Sequence, residues 1–135
     1  MALGPERRRT PEEKRTSGKI NDNRIKRVGF ADIKLLNSFN KLKSGKFEDK
    51  QLASEIDGAI NKLKEDPFCG VAVAKLLWPI TYIREYKIRN LKKYDLRNGW
   101  RLIYTIKGNK VEIISIILEW FDHKNYERRF GYKSH

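Results

Sequence analysis

The sequence predicts an α+β fold in which an N-terminal helical hairpin packs on a three- to four-stranded antiparallel sheet, followed by a short C-terminal helix or tail. Two turn dipeptides carry most of this prediction, since Asn98-Gly99 and Gly108-Asn109 each lie between runs of aliphatic, aromatic and β-branched residues. Both suit type I′ turns, whose central residues need positive φ, and so indicate two tight hairpins. The third observation is a helical spacing of apolar residues upstream of the hairpins.

Three strands are expected in the C-terminal half, at about 91–97, 100–107 and 110–121. Two-residue loops fix the register of both hairpins, pairing Tyr94 with Ile103 and Ile106 with Val111. One face then carries Leu102, Tyr104, Ile106, Val111, Ile113 and Ile117, and the other carries Tyr94, Arg101, Ile103, Ile114, Ile116 and Leu118. Because both faces are largely apolar, either both are covered or one is covered and the other is a binding surface.

Two helices are predicted ahead of the sheet. The first helix is predicted to end at Gly45. Its apolar residues recur at every third position: Phe30, Ile33, Leu36, Phe39 and Leu42. The second covers about 48–65 and ends at Asp66-Pro67. A short edge strand is expected at 24–28, and a helix at 80–87 that would bury Ile80, Ile83 and Tyr86. The run at 70–74 fits either a strand or a helix start.

Charge is concentrated at the two ends of the chain. The 30 Lys and Arg residues outnumber the 17 Asp and Glu residues, which gives a net charge of +13. By segment the balance is +5 over residues 1–29, zero over 30–66 and +8 over 67–135. We therefore predict a basic, flexible arm at 1–23 and a single domain at 24–135. The excess of positive charge also predicts a polyanionic partner, for which nucleic acid is the leading candidate.

Several classes of protein are excluded or disfavoured. There is no apolar run of about 18 residues to span a membrane, and the charged first twenty residues do not resemble a secretion signal. The single cysteine, Cys69, is expected to be a buried structural thiol, and a reducing, cytoplasmic location follows. Phosphate-binding glycine loops, GxSxG and Cys/His metal spacings are missing.

Arg101 is the most informative single residue. It lies within the strand Trp-Arg-Leu-Ile-Tyr, among residues expected to be buried, where a guanidinium is costly unless it is paired. Its partner is either a carboxylate, from Asp95, Glu112 or Glu119, or a phosphate, whose oxygens match the planar fork of arginine.

Further candidates follow the third strand. His123 and Tyr126 are three residues apart, which places them on one face of a helical turn. His123 is either a proton carrier or a surface histidine, and Tyr126 either stacks on a base or belongs to the core. Glu119 is either a structural partner of Arg101 or a general base.

The stretch from Leu96 to Tyr104 (LRNGWRLIY) and the His123-to-Tyr126 tail resemble the RelE/ParE superfamily of type II toxins, in particular the RelE-like mRNA interferases. The resemblance covers about residues 28–132. It implies a toxin that cuts mRNA in the ribosomal A site by attack of a 2′-hydroxyl on the adjacent phosphate, without metal or cofactor. It also implies an acidic antitoxin as protein partner and no membrane.

Residue by residue, the resemblance assigns Arg101 and Lys93 to the phosphate and Tyr126 to base stacking. His123 is similar to a C-terminal histidine of some relatives and would be the acid, with Glu119 or Asp95 as the base. Asp95 and Trp120 depart from the family, since basic residues are expected there. The basic side chains predicted to bind RNA are Lys92, Lys93, Arg97, Arg128 and Arg129.

Three other functions remain open at this point. A ParE-like inhibitor of DNA gyrase would lack the catalytic residues. A non-catalytic module that binds RNA or the ribosome would fit the departures at Asp95 and Trp120. An inactive relic would be retained for protein binding.

Overall fold

A mixed five-stranded sheet forms the centre of the protein in the computed structural model, which describes residues 22–131. The strands are β1 (Ile25–Phe30), β2 (Val71–Ala72), β3 (Lys92–Asp95), β4 (Arg101–Gly108) and β5 (Glu112–Phe121), in the order β1-β5-β4-β3-β2. The helices are α1 (Ile33–Lys43), α2 (Phe47–Glu65) and α3 (His123–Phe130). Nearly all of the predicted arm, and the last four residues, lie outside the described range.

The α+β class is confirmed, but the predicted sheet is corrected in size and type. β1 lies at one edge and runs parallel to β5, whereas every other pairing is antiparallel. Parallel neighbours need a long connection, and here the helical hairpin and the first antiparallel strands separate β1 from β5. Of the helices described, none has the length and apolarity that a membrane crossing requires.

The α1–α2 hairpin covers one face of the sheet. Asp32 caps α1 by accepting a hydrogen bond from Leu35 N, and the Asp49 carboxylate accepts one from Lys46 N at the start of α2. The hairpin and the sheet share a core of Phe39, Leu52, Ala53, Ile56, Ala59, Leu63, Leu96, Leu102, Tyr104 and Ile117. Each large side chain fully buried there contributes about 1.5–3 kcal/mol.

The opposite face is covered as well. The segment from 73 to 91 crosses it and packs with α3 around a second core of Val73, Tyr82, Ile88, Leu91, Ile103, Leu118, Tyr126 and Phe130. Tyr126 and Phe130 stack with ring centroids 4.6 Å apart. Both faces of the sheet are thus covered, so the alternative in which one open face is the binding surface is wrong. The parts of the sheet that remain accessible are its ends.

The register of the first hairpin differs from the prediction by one residue. Asn98 and Gly99 do have positive φ, as a type I′ turn requires. Arg97 N, however, donates to Glu55 Oε1 of α2 (3.1 Å), and Leu96 N takes its place opposite Trp100. Tyr94 consequently pairs with Leu102 and packs against the hairpin core, on the face opposite to the predicted one.

The second hairpin turns later than predicted. The Asn109 side chain accepts hydrogen bonds from Val111 N and Glu112 N, which makes Asn109 the start of the turn. Ile106 then pairs with Ser115, not with Val111. The shift is even from Tyr104 to Gly108, and a register irregularity between Ile103 and Tyr104 follows it. The other residues named for β4 and β5 keep their predicted faces, apart from Val111, which is exposed in the turn.

The predicted helix at 80–87 is present as a short helical stretch over residues 80–86, of which Tyr82–Tyr86 form a π-type turn. Of the three residues predicted to be buried, Ile80 and Ile83 are exposed and Tyr86 is partly buried against the second core, while Tyr82 is fully buried. The run at 70–74 contributes the short edge strand β2.

Candidate active site

The predicted catalytic residues divide into two groups, and the first gathers at the end of the sheet where β3 and β5 stop and β4 starts. Asp95 ends β3 and pairs across the strands with Arg101, the first residue of β4. His123 is the first residue of α3, directly after β5. We call Arg101, Asp95, His123, Tyr126 and Lys93 the Arg101 cluster.

Arg101 is held by three different kinds of contact. Its Nη1–H donates to the Gly99 carbonyl (2.9 Å) and lies 3.1 Å from His123 Nδ1. Its guanidinium carbon lies 4.8 Å from the centre of the Tyr126 ring, a cation–π distance. The side chain is 19% exposed, so the guanidinium group is held near the surface and remains in contact with water.

The charge of Arg101 is only weakly neutralised. Among the described residues its ion-pair partner is Asp95, with 3.5 Å between Nε and Oδ1, and the Asp95 side chain is 64% exposed. The Nε atom is buried and has no hydrogen-bond partner among residues 22–131. Of the carboxylates considered from the sequence, Asp95 is thus the partner, and its long, exposed contact leaves the guanidinium able to bind an anion.

His123 bridges Arg101 and a glutamate that the sequence reasoning missed. Its Nε2 lies 3.1 Å from Glu127 Oε2 on the same face of α3. Since arginine can only donate, Nδ1 must accept, which places the ring proton on Nε2, where the carboxylate accepts it. The spacing of four residues in a predicted helix was the signal that could have identified Glu127.

Tyr126 is a core residue whose ring supports the two cations of the cluster. It is 1% exposed, and Lys93 Nζ lies 5.6 Å from its ring centre. A ring buried to this extent cannot stack on an incoming base, so the predicted stacking role is wrong. The alternative of a core tyrosine is confirmed.

Glu119 belongs to a second group, next to α3. Its Oε1 accepts a 2.5 Å hydrogen bond from the Tyr82 hydroxyl and lies 3.5 Å from Arg129 Nη2. Burial, together with this hydrogen bond, raises the pKa of Tyr82 well above its usual range, so the hydroxyl remains a donor. Glu119 therefore has a structural role here with partners other than Arg101, and it pairs across the strands with Ile103.

The predicted RNA-binding side chains do not form one surface. Lys92 and Lys93 are successive strand residues and lie on opposite faces. Arg97 faces α2, where its Nε lies 3.5 Å from Glu55 Oε2. Arg128 and Arg129 line a groove beside α3. Only Lys93 therefore joins the Arg101 cluster.

Cys69 was predicted to be a buried thiol; it packs against the hairpin core but is only partly buried. Burial raises the pKa of the thiol, with Asp66 acting in the same direction, and this disfavours the reactive thiolate. No group of His, Cys, Asp and Glu side chains suited to a metal ion occurs between residues 22 and 131.

Comparison with known proteins adds no further constraint. No family model, no curated protein and no solved structure matches this chain. Any function is therefore inferred from the chain's own residues and their geometry.

Proposed function

We propose that this protein is a toxin of a type II toxin-antitoxin system that cleaves mRNA on the ribosome, with the RelE-like fold that the LRNGWRLIY motif suggests. The single observation that carries the proposal is Arg101, a fixed and incompletely neutralised guanidinium beside an imidazole at a sheet end. Cleavage of RNA by its own 2′-hydroxyl needs such a cation for the pentacovalent phosphate, together with groups that take up and release protons.

The proposed role of Arg101 is to bind the scissile phosphate. The Arg101 side chain is 19% exposed and its pairing with Asp95 is loose, so phosphate oxygens can compete for the exposed part of the guanidinium. Lys93 adds positive charge from the neighbouring strand, since it shares the Tyr126 ring with Arg101. Tyr126 supports both cations from below and does not touch the RNA.

The proposed base is Asp95. Of the two carboxylates considered, Asp95 is exposed and next to Arg101, whereas Glu119 is held by Tyr82 and Arg129. Asp95 would take the proton of the 2′-hydroxyl as O2′ bonds to phosphorus and the bond from phosphorus to the 5′-oxygen breaks. The products are a 2′,3′-cyclic phosphate and a 5′-hydroxyl.

The proposed acid is His123. When a phosphate binds Arg101, the guanidinium would reorient so that the Nη1–H now directed at His123 donates to the phosphate, which leaves Nδ1 able to take a proton from water. The imidazolium formed in this way can protonate the departing 5′-oxygen, and Glu127 stabilises its positive charge from the other side. Phosphate binding would thereby prepare the acid for the reaction.

An acidic antitoxin is part of the same proposal. The net charge of +13 gives an acidic polypeptide a surface to neutralise. The expected location, where translating ribosomes are found, is the cytoplasm.

The proposal is tested by mapping mRNA cuts in a translating extract. Wild-type protein should cut within the reading frame, and Arg101→Ala should not. Arg84→Ala is a charge-matched control, because Arg84 is exposed on the Tyr82–Tyr86 turn and remote in sequence from the cluster. Equal cutting by wild type and Arg101→Ala, or no cutting by either, would overturn the proposal. Loss of gyrase supercoiling without any cutting would instead identify a ParE-like inhibitor.

A further inference from the structure

An open groove lies at the end of the sheet on the outer side of the Arg101 cluster. It has a volume of about 690 Å³ and is lined by Trp100, Trp120, Phe121, Asp122, Asn125, Arg128 and Arg129. The aromatic residues lie just before β4 and at the end of β5. Asp122 and Asn125 come from the N-cap and first turn of α3, and Arg128 and Arg129 come from its last turn. Aromatic rings and arginines meeting in one groove are typical of surfaces that bind single-stranded nucleic acid.

The two tryptophans have the exposure that a stacking surface requires. Trp120 pairs with Leu102, and Trp100 is two residues before Leu102, so both indoles lie on the hairpin face of the sheet. Both are half-buried against the hairpin core while they also line the groove. Core packing therefore fixes both rings, and part of each ring lines the groove.

The available positive charge of the groove comes mainly from Arg128, while Asp122 adds a carboxylate whose Oδ1 accepts a hydrogen bond from Asn125 N. Its Nη1 donates to the Asn125 side-chain oxygen (3.1 Å), and no carboxylate within the described residues pairs with it. Arg129, in contrast, is shared with Glu119 and Thr81. Arg128 is thus the cation that is available to a phosphate.

The other side of Trp100 is closed to a polyanion. There Glu48 and Glu55 of α2 line a smaller cavity together with Arg97 and Asn98. An RNA strand would be repelled from these carboxylates and directed to the α3 side, where Arg128 lies.

We propose that this groove binds an unpaired nucleotide of single-stranded RNA, with its base stacked on Trp100 and Trp120 and its phosphate at Arg128. The choice of RNA rests on the function proposed above. Trp100 precedes Arg101 and Asp122 precedes His123, so the groove and the Arg101 cluster adjoin at the same two junctions of the chain. The bound nucleotide would be a near neighbour of the one that is cleaved.

The test compares a fluorescently labelled single-stranded RNA of about eight nucleotides with an abasic oligomer of the same length and charge. Wild-type protein should bind the RNA about tenfold more tightly than the abasic oligomer. Trp100→Leu and Trp120→Leu should lose most of that preference and bind the abasic oligomer as wild type does. Trp120→Tyr retains an aromatic face and should retain the preference.

Salt dependence separates stacking from charge. Arg128→Gln should lower the slope of log affinity against log salt by about one for both oligomers, because one phosphate contact is lost. The Trp→Leu variants should leave the slope unchanged.

Trp78→Phe supplies a control and a second readout. Trp78 lies outside the groove, with its Nε1–H on the Val73 carbonyl, and the variant keeps only the two groove tryptophans. RNA should quench their fluorescence and the abasic oligomer should not, a result that needs no change to the groove. Absence of quenching, an unaltered RNA preference in the Leu variants, or no RNA binding by wild type would each overturn the inference. An acidic protein segment would then be the better occupant.

The two proposals fail separately in these experiments. Stacking without cleavage on ribosomes would count against the catalytic function alone. Cleavage that persists while the Leu variants keep their RNA preference would count against the groove alone.

Discussion

Arg101 Nη1 and His123 Nδ1 lie 3.1 Å apart, and this contact fixes the tautomer of the histidine. Guanidinium groups have no acceptor, so Nδ1 must present its lone pair and the ring proton belongs to Nε2, facing Glu127. A histidine held between a cation and a carboxylate has one defined orientation. That orientation connects Arg101, the proposed phosphate-binding residue, to His123, the proposed acid.

The His123 tautomer is directly measurable. Nitrogen chemical shifts of the imidazole should show the Nε2–H form in the wild-type protein at a pH where the ring is neutral. Glu127→Gln keeps an acceptor at the same place and should keep this form. Glu127→Ala should give a mixture of tautomers, because only Arg101 would then bias the ring. A predominant Nδ1–H form in the wild type would contradict the arrangement.

Gly99 should tolerate no side chain without cost. Its φ of +78° disfavours residues with a Cβ, and an added Cβ would lie 3.3 Å from His123 Cβ. Gly99→Ala is expected to destabilise the protein by about 1–2 kcal/mol in urea unfolding and to disturb His123. The matched control is Gly29→Ala, where a Cβ meets nothing within 4 Å and the change should be neutral or stabilise by about 0.4–1 kcal/mol. Equal effects of the two changes would show that the turn is not as described.

The hydrogen bond from Tyr82 to Glu119 should stabilise the second core. Tyr82→Phe removes the hydroxyl from a residue that is 1% exposed and is expected to cost about 1–2 kcal/mol in urea unfolding. Glu119→Gln retains an acceptor and should cost less than Glu119→Leu. If Tyr82→Phe matches wild type, the contact has no energetic role.

Stability should fall at high pH because of two buried tyrosines. Burial raises the pKa of both Tyr82 and Tyr104 above the ordinary value of 10.0. Between that value and the folded pKa the native state binds more protons than the unfolded state, so the free energy of unfolding is full below about pH 10 and decreases as pH rises further. Unfolding midpoints measured from pH 8 to 11 should decrease less steeply in Tyr82→Phe and in Tyr104→Phe. Parallel pH profiles in all three proteins would contradict this.

Local patterns in the sequence were enough to predict the two long helices and the two long antiparallel strands. The spacing of apolar residues, the turn dipeptides and the helix caps all act within a few residues. The elements α1, α2, β4 and β5 lie close to their predicted bounds. The positive φ values at Asn98 and Gly99 followed from the same local chemistry.

Long-range contacts decided what the sequence patterns could not. The Arg97 amide donates a hydrogen bond to Glu55, forty-two residues away in sequence. This contact accompanies a one-residue shift in the register of the first hairpin, which the turn residues alone did not predict. Likewise, the segment around Tyr82 covers the second face of the sheet, which buries Tyr126 and closes the surface that appeared open for RNA. The candidate site therefore lies at the end of the sheet where β3 and β5 stop and β4 starts. This location depends on how the three strands pair.

The rate of cleavage at a single defined phosphate tests the central claim most directly. We would follow single-turnover cleavage of ribosome-bound mRNA whose A-site codon carries either its 2′-hydroxyls or 2′-deoxy substitutions. Wild-type protein should cut only the hydroxyl-bearing codon and leave a 2′,3′-cyclic phosphate, with Arg101→Ala slower by about 10²–10³-fold. Cleavage of the deoxy codon, or equal rates for wild type and Arg101→Ala, would contradict a site in which Arg101 stabilises attack by the 2′-hydroxyl.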